Sequence, residues 1–200
     1  MIEVIKGKTS VWVLQPKLKI ELKDRDNSSF VGEANALAKA LPNVKIIGSI
    51  IVPIERISPK EFFGTGKVSE LSINFKSQKT DLVIINSQIS PVQQRNLEKK
   101  WQVKILDRTA LILEIFSDRA ATKEGVLQVE MAALSYQRSR LVRSWTHLER
   151  QRGGLGFVGG PGETQIEADK RAIDHHLVRL KRQLDKIKNC LLYTSDAADE

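Results

Sequence analysis

A single cysteine, Cys190, among 200 residues excludes an internal disulfide and a zinc site built on cysteine. Histidine is nearly as scarce. His147, His175 and His176 come without cysteine partners and without HExxH spacing, so no metal is expected. Long apolar runs are missing too: no stretch of about 18 uncharged apolar residues occurs, which excludes a spanning helix. The N-terminus, Met1-Ile2-Glu3-Val4-Ile5-Lys6, lacks the positive-then-apolar order of a signal peptide. These absences predict a cytoplasmic protein with no membrane partner. No Ser/His/Asp order and no isolated carboxylate pair stands out, so no catalytic residue is assigned.

What is present suffices for a folded core, since 41% of the residues are hydrophobic and 28% charged. A formal charge of +8 and a pI near 9.6 favour a polyanionic partner. The excess is local. Between Leu134 and Asn189 there are 12 Lys and Arg against 6 Asp and Glu. The last eleven residues, Cys190 to Glu200, match the translation of a transposase-type sequencing adapter and are set aside from fold reasoning as an artefact. On that reading the chain is a fragment of a longer protein.

Through the first 120 residues short β-branched runs alternate with helical patterns. Ser10–Leu14, Val44–Val52, Asp81–Ile85 and Val103–Leu106 read as strands, several of them apolar on both faces. Helices are predicted at Phe30–Leu41, Gly66–Ser77, Pro91–Trp101 and Arg108–Ala121, the last capped by Asp107. Alternation of this kind with doubly buried strands predicts an α/β fold built on a small parallel β-sheet, covering residues 1–121.

Residues 122–189 follow a different period. Leu127, Met131, Leu134, Arg138, Leu141, Trp145 and Leu148 step by 4 and 3, a heptad seam with one polar member. Ile173, His176 or Leu177, Leu180, Leu184 and Ile187 form a second seam. The expectation is a long antiparallel two-helix hairpin of coiled-coil type. Its tip, residues 153–162, holds six of the chain's twelve glycines, and Thr164 with Glu167 reads as the capping box that starts the second helix.

Two glycine motifs invite a nucleotide reading. Gly154-Leu155-Gly156-Phe157-Val158-Gly159 matches GxGxxG, but a long helix enters it where a strand is required, and Glu163 and Glu167 would repel phosphate from the helix that follows. Gly64-Thr65-Gly66-Lys67 is not a Walker A loop, because Glu61 and Val68 stand where Gly and Ser/Thr are needed. Gly64, Gly66 and Lys67, with Asp107 at a strand end, stay as weak nucleotide-binding candidates beside simpler roles as a tight turn and a helix cap.

Arginines on both arms of the hairpin suit a phosphate backbone, because guanidinium groups bind phosphate bidentately and glycines let main-chain N–H groups approach closely. Trp145, His147 and Phe157 are candidates for stacking on unpaired bases. The same residues also suit a solvated coiled coil with ordinary ion pairs. Composition and spacing leave both readings open.

Several stretches resemble one family. Glu55-Arg56 with Gly64-Thr65-Gly66-Lys67-Val68, Ser90-Pro91-Val92-Gln93-Gln94-Arg95-Asn96-Leu97-Glu98, and Asp107-Arg108-Thr109 with Leu111-Ile112-Leu113 are three of them. The fourth runs from Trp145-Thr146-His147-Leu148-Glu149-Arg150-Gln151-Arg152 directly into Gly153 through Gln165. Together they are similar to the N-terminal region of HflX, a ribosome-associated GTPase. The resemblance implies an α/β subdomain, a two-helix subdomain, and then a GTPase domain that binds GTP and Mg2+ and is missing from these residues. It implies a protein that binds the large ribosomal subunit and its rRNA and acts on stalled or stressed ribosomes by separating the subunits; separately, the chain is expected to be monomeric. The residues expected to make this contact are Arg143, His147, Arg150, Arg152, Gly153, Gly154, Gly156, Phe157, Gly159, Gly160 and Gly162. No cofactor and no GTP hydrolysis are expected of this stretch alone. The alternatives are an α/β domain with its own nucleotide binding and ATPase activity, and a coiled-coil adaptor.

Overall fold

The computed structural model describes residues 8–18, 27–151 and 161–196, and the side chains of 8–18, 30–141 and 167–189. The chain divides into two compact units, Met1–Asp118 and Arg119–Glu200.

The first unit is an α/β sandwich. Its elements run β1 (Thr9–Leu18), α1 (Asn27–Lys39), β2 (Val44–Ile54), α2 (Thr65–Ser77), β3 (Leu82–Ile85), α3 (Pro91–Trp101), β4 (Lys104–Asp107) and α4 (Arg108–Arg119). All strand pairs are parallel, in the order β2-β1-β3-β4. The expected parallel sheet is therefore present, with strand ends shifted by a few residues.

Period-two burial sorts the strands between two cores. Trp12, Leu14, Val83, Ile85 and Ile105 face one side, where they meet Val68, Leu71 and Phe75 of α2 and Leu97 and Trp101 of α3. Val11, Val13, Leu82, Ile84 and Leu106 face the other, against Ala34 and Ala38 of α1 and Leu111 and Ile115 of α4. Trp101 anchors the first core: its ring packs edge-on to Phe75 at 5.0 Å and its indole N–H donates to the Val68 carbonyl at 2.9 Å.

β1 extends four residues past its predicted end because β2 keeps pairing with it through Leu18–Ile54. Pro16 is tolerated there, since β3 pairs with β1 only as far as Leu14 and the later residues border an open side. A bulge at Ile47 shifts the β1–β2 register between Val11 and Trp12 and brings Gly48 opposite Trp12. A Cβ on Gly48 would fall inside the Trp12 indole, so the glycine makes room for the ring.

Helix starts follow local chemistry. Ser90 caps α3 through a complete capping box, with Gln93 N–H donating to its hydroxyl and Ser90 N–H donating to the Gln93 side chain. Asp107 caps α4 as expected: the Ala110 N–H donates to its Oδ1 at 2.8 Å.

Candidate nucleic-acid interface

The second unit consists of α5 (Lys123–Gln151) and α6 (Pro161–Asp196), packed against each other. Thr122 starts α5, its hydroxyl accepting from Gly125 N–H at 3.0 Å. Of the predicted α5 seam, Leu127, Met131, Leu134, Arg138 and Leu141 are half-buried, while the side chains of Trp145 and Leu148 lie outside the described residues. On α6, Leu180 and Leu184 are buried.

Polar contacts cross between the helices. Arg138, the polar seam member, meets Asp174 with two guanidinium nitrogens, Nε on Oδ1 and Nη2 on Oδ2, the second at 3.2 Å. Glu130 meets His176 at 3.4 Å. Going back along α5 from 138 to 130 means going forward along α6 from 174 to 176, the sense of an antiparallel pair.

The start of α6 corrects one expectation. The helix begins at Pro161, so Thr164 lies inside its first turns and is not the residue that caps it. Proline suits the first helical position, where its missing N–H has no intrahelical partner to lose. Backbone helix also continues through Cys190 to Asp196, past the boundary drawn at residue 190.

Most of the predicted RNA contacts flank or form the tip. Arg143, His147 and Arg150 stand on the last turns of α5, and Gly162 on the first turn of α6, with backbone positions alone described. Arg152, Gly153, Gly154, Gly156, Phe157, Gly159 and Gly160 lie outside the described residues.

The nucleotide candidates of the first unit have structural employment. Gly64 precedes α2, and a Cβ on Gly64 or Gly66 would meet nothing within 4 Å. Lys67 pairs with Glu70 at 2.7 Å. Glu61, where a Walker loop needs glycine, is buried and paired with Lys100 at 2.8 Å, and Val68 is buried. The preceding loop is pinned as well: Gln93 donates to the Ser58 carbonyl and Asn96 to that of Lys60. These residues do not fit a triphosphate and its magnesium ion. Asp107 is fully buried and carries the α4 cap.

The sequence reading missed a polar chain at the carboxyl ends of β1 and β3. Asn86 donates to Gln15 Oε1 at 2.6 Å and accepts from Arg108 at 3.1 Å, and Arg108 pairs with Glu33 at 2.6 Å. From β1 the chain crosses to β2 on one side and later to β3 on the other, so this is the topological switch point where open parallel sheets hold ligands. An Asn-Ser pair directly after a doubly buried strand was the available signal.

Among the described residues no helix is long and apolar enough to cross a membrane, and no group of three His, Cys, Asp or Glu side chains is placed to hold a metal.

Comparison with known proteins follows the same division. The family region described as GTP-binding GTPase N-terminal matches residues 28–117, and the one described as GTP-binding GTPase Middle Region matches residues 119–190. GTPase HflX of Magnetococcus marinus is 52% identical over 138 residues, covering 69% of this chain and 32% of the relative. GTPase HflX of Escherichia coli is 46% identical over 130 residues, covering 65% of this chain and 30% of the relative. The chain thus spans about a third of the length of these relatives. A solved structure of SsGBP with GDP superposes with a TM-score of 0.65 at 19% identity, over 92% of this chain and 46% of that one. A GTP-binding protein from Sulfolobus solfataricus with GDP gives a TM-score of 0.59 at 19% identity, over 90% and 46%. At that identity the two structures speak for the fold. By its two consecutive family regions and these relatives, the chain belongs to the HflX family of GTP-binding proteins, matching their N-terminal and middle regions.

Proposed function

We propose that this chain is the ribosome-binding region of an HflX-type GTPase, and that its second unit contacts the rRNA of the large subunit. The contact is made by Arg143, His147, Arg150 and Arg152 around the glycine-rich stretch 153–162. The whole protein uses GTP and Mg2+ to act on stalled or stressed ribosomes in the cytoplasm by separating their subunits, with the nucleotide held by residues other than those described above. One observation carries the reading. Eight of the chain's thirteen arginines lie between Leu134 and Asn189, seven of them on α5 and α6, the two helices on either side of that glycine-rich stretch.

Sedimentation with purified large subunits at a series of salt concentrations tests this. Association should weaken steeply as salt rises, because each neutralised phosphate releases counterions. Changing Arg143, Arg150 and Arg152 together to Ala should lower the slope of log K against log[salt] by about 2, at roughly 0.7 per phosphate contact. Binding that is insensitive both to salt and to the triple change would sink the proposal.

The polar chain at the switch point supports a second reading, an α/β unit that binds a nucleotide itself. Titration of labelled ATP and GTP against the chain and against its Arg108→Ala variant decides it. Saturable binding lost in the variant favours this reading, and no saturation at millimolar nucleotide removes it.

A further inference from the structure

The two helices of the second unit use their cations differently. On α5, Arg138 is held by Asp174, and Arg140 lies over the Tyr136 ring at 5.1 Å from its centroid with a 2.6 Å bond to the phenol oxygen. Both described arginines of that helix are thus engaged by the hairpin. On α6, Arg171, His175, Arg179, Arg182 and Lys186 follow one another by 4, 4, 3 and 4 residues and are all exposed. At about 100° per residue these positions fall within a single stripe, opposite the seam that buries Leu180 and Leu184. Arg171 reaches back to Glu167 at 3.5 Å. Among the described residues Arg179, Arg182 and Lys186 make no ion pair.

A coiled-coil surface that serves only solubility interleaves charges of both signs. Four of the five members of this stripe are arginine or lysine, with the exposed Asp185 at its flank, and the carboxylates nearest its start are taken: Asp174 by Arg138 and Glu167 by Arg171. Successive members rise about 5–6 Å along the axis, and the whole runs about 22 Å. A row of guanidinium and ammonium groups on one helix face over that length fits a nucleic-acid strand, whose phosphates repeat every few ångströms. Its centre, Arg179, Arg182 and Lys186, offers no aromatic platform and little hydrogen-bonding variety for reading bases, so the contact is with backbone and not with sequence.

We propose that the outer face of α6, centred on Arg179, Arg182 and Lys186, is a second RNA contact that tracks the phosphate backbone of an RNA helix, separate from the glycine-rich stretch. This rests on the rRNA-binding reading above and adds to it a site, a ligand chemistry and a division of labour. The tip segment supplies close approach; the stripe supplies most of the salt-dependent affinity along the shaft.

The test uses the full chain and two probes, purified large ribosomal subunits and a naked RNA duplex of about 20 base pairs, each titrated from low to high salt. Arg179→Gln, Arg182→Gln and Lys186→Gln are combined, because glutamine keeps the helix while removing charge. The expected result is a loss of about 10- to 100-fold in affinity for both probes at low salt, with the slope of log K against log[salt] reduced by about 2. The Arg179→Lys, Arg182→Lys variant should keep the slope, and circular dichroism should show unchanged helix content in both. Unaltered affinity and slope for both probes in the glutamine variant overturn the stripe, while subunit binding that still depends on Arg143, Arg150 and Arg152 leaves the ribosome reading standing. Stripe-dependent binding of the duplex without any binding of subunits upholds the stripe and removes the ribosome reading. Absence of binding to either probe overturns both.

Discussion

The two units of this chain solve opposite problems with the same alphabet. In Met1–Asp118 a four-stranded sheet is apolar on both faces and is sealed by two helical layers, so Leu14, Ile84, Ile85, Leu97, Trp101 and Leu111 lose essentially all contact with water. In Arg119–Glu200 two long helices share one seam, and among the described residues only Leu180 and Leu184 are buried there. The first unit draws its stability from burial, at about 25 cal/mol for each Å2 of apolar surface removed from water. The second keeps most of its side chains in solvent and depends on a thin seam, helix propensity and cross-helix pairs. What a thin seam cannot give in stability it leaves as exposed, charged surface.

The contrast can be broken or sharpened by substitution. The largest effect is expected from Trp101→Ala, which empties the centre of the first core and removes the ring contacts to Phe63 and Phe75 and the indole bond to the Val68 carbonyl. Urea denaturation should show a loss of about 3–5 kcal/mol. Gly48→Ala should cost about 1–3 kcal/mol in the same assay, since the new methyl must displace the Trp12 indole. Leu180→Ala in the second unit should cost about 2 kcal/mol, at the low end for leucine, because a half-open seam relaxes around the gap. If helix loss followed by circular dichroism puts that change level with Trp101→Ala, the picture of a thin seam is wrong. Ser90→Ala removes one side of the α3 capping box and should cost about 1 kcal/mol. Smallest of all, Arg138→Ala should cost less than about 1 kcal/mol, since the pair with Asp174 is more than a third exposed and water screens it.

Legibility in the sequence followed the same line. Doubly apolar runs such as Leu82–Ile85 and the Asp107 cap of α4 have local causes, and strand, helix and cap appear where those causes place them. The α5 seam was readable because period is a property of one helix. What depended on distant partners was not. β1 outruns its apolar core because β2 continues to pair with it past Pro16, and nothing near Pro16 announces that. The strand order rests on crossovers, and with it the meeting of Gln15, Asn86, Arg108 and Glu33 from four separate stretches. At the candidate interface the concentration of arginine was plain from composition, but which cations are free was not. Arg138 and Arg140 read like the rest until Asp174 and Tyr136 are seen beside them.

Arg138 and Asp174 also bias the register in which the two helices pair. Two heptad seams match equally well when one helix slides by seven residues, so apolar packing alone leaves the register open. Sliding α6 one heptad in one direction would bring Lys181 against Arg138, and two cations would oppose each other at the contact. A slide in the other direction brings Glu167, which Arg138 can accept. The pair therefore disfavours one slip and tolerates the other, so even a screened contact gives the two helices a preferred register.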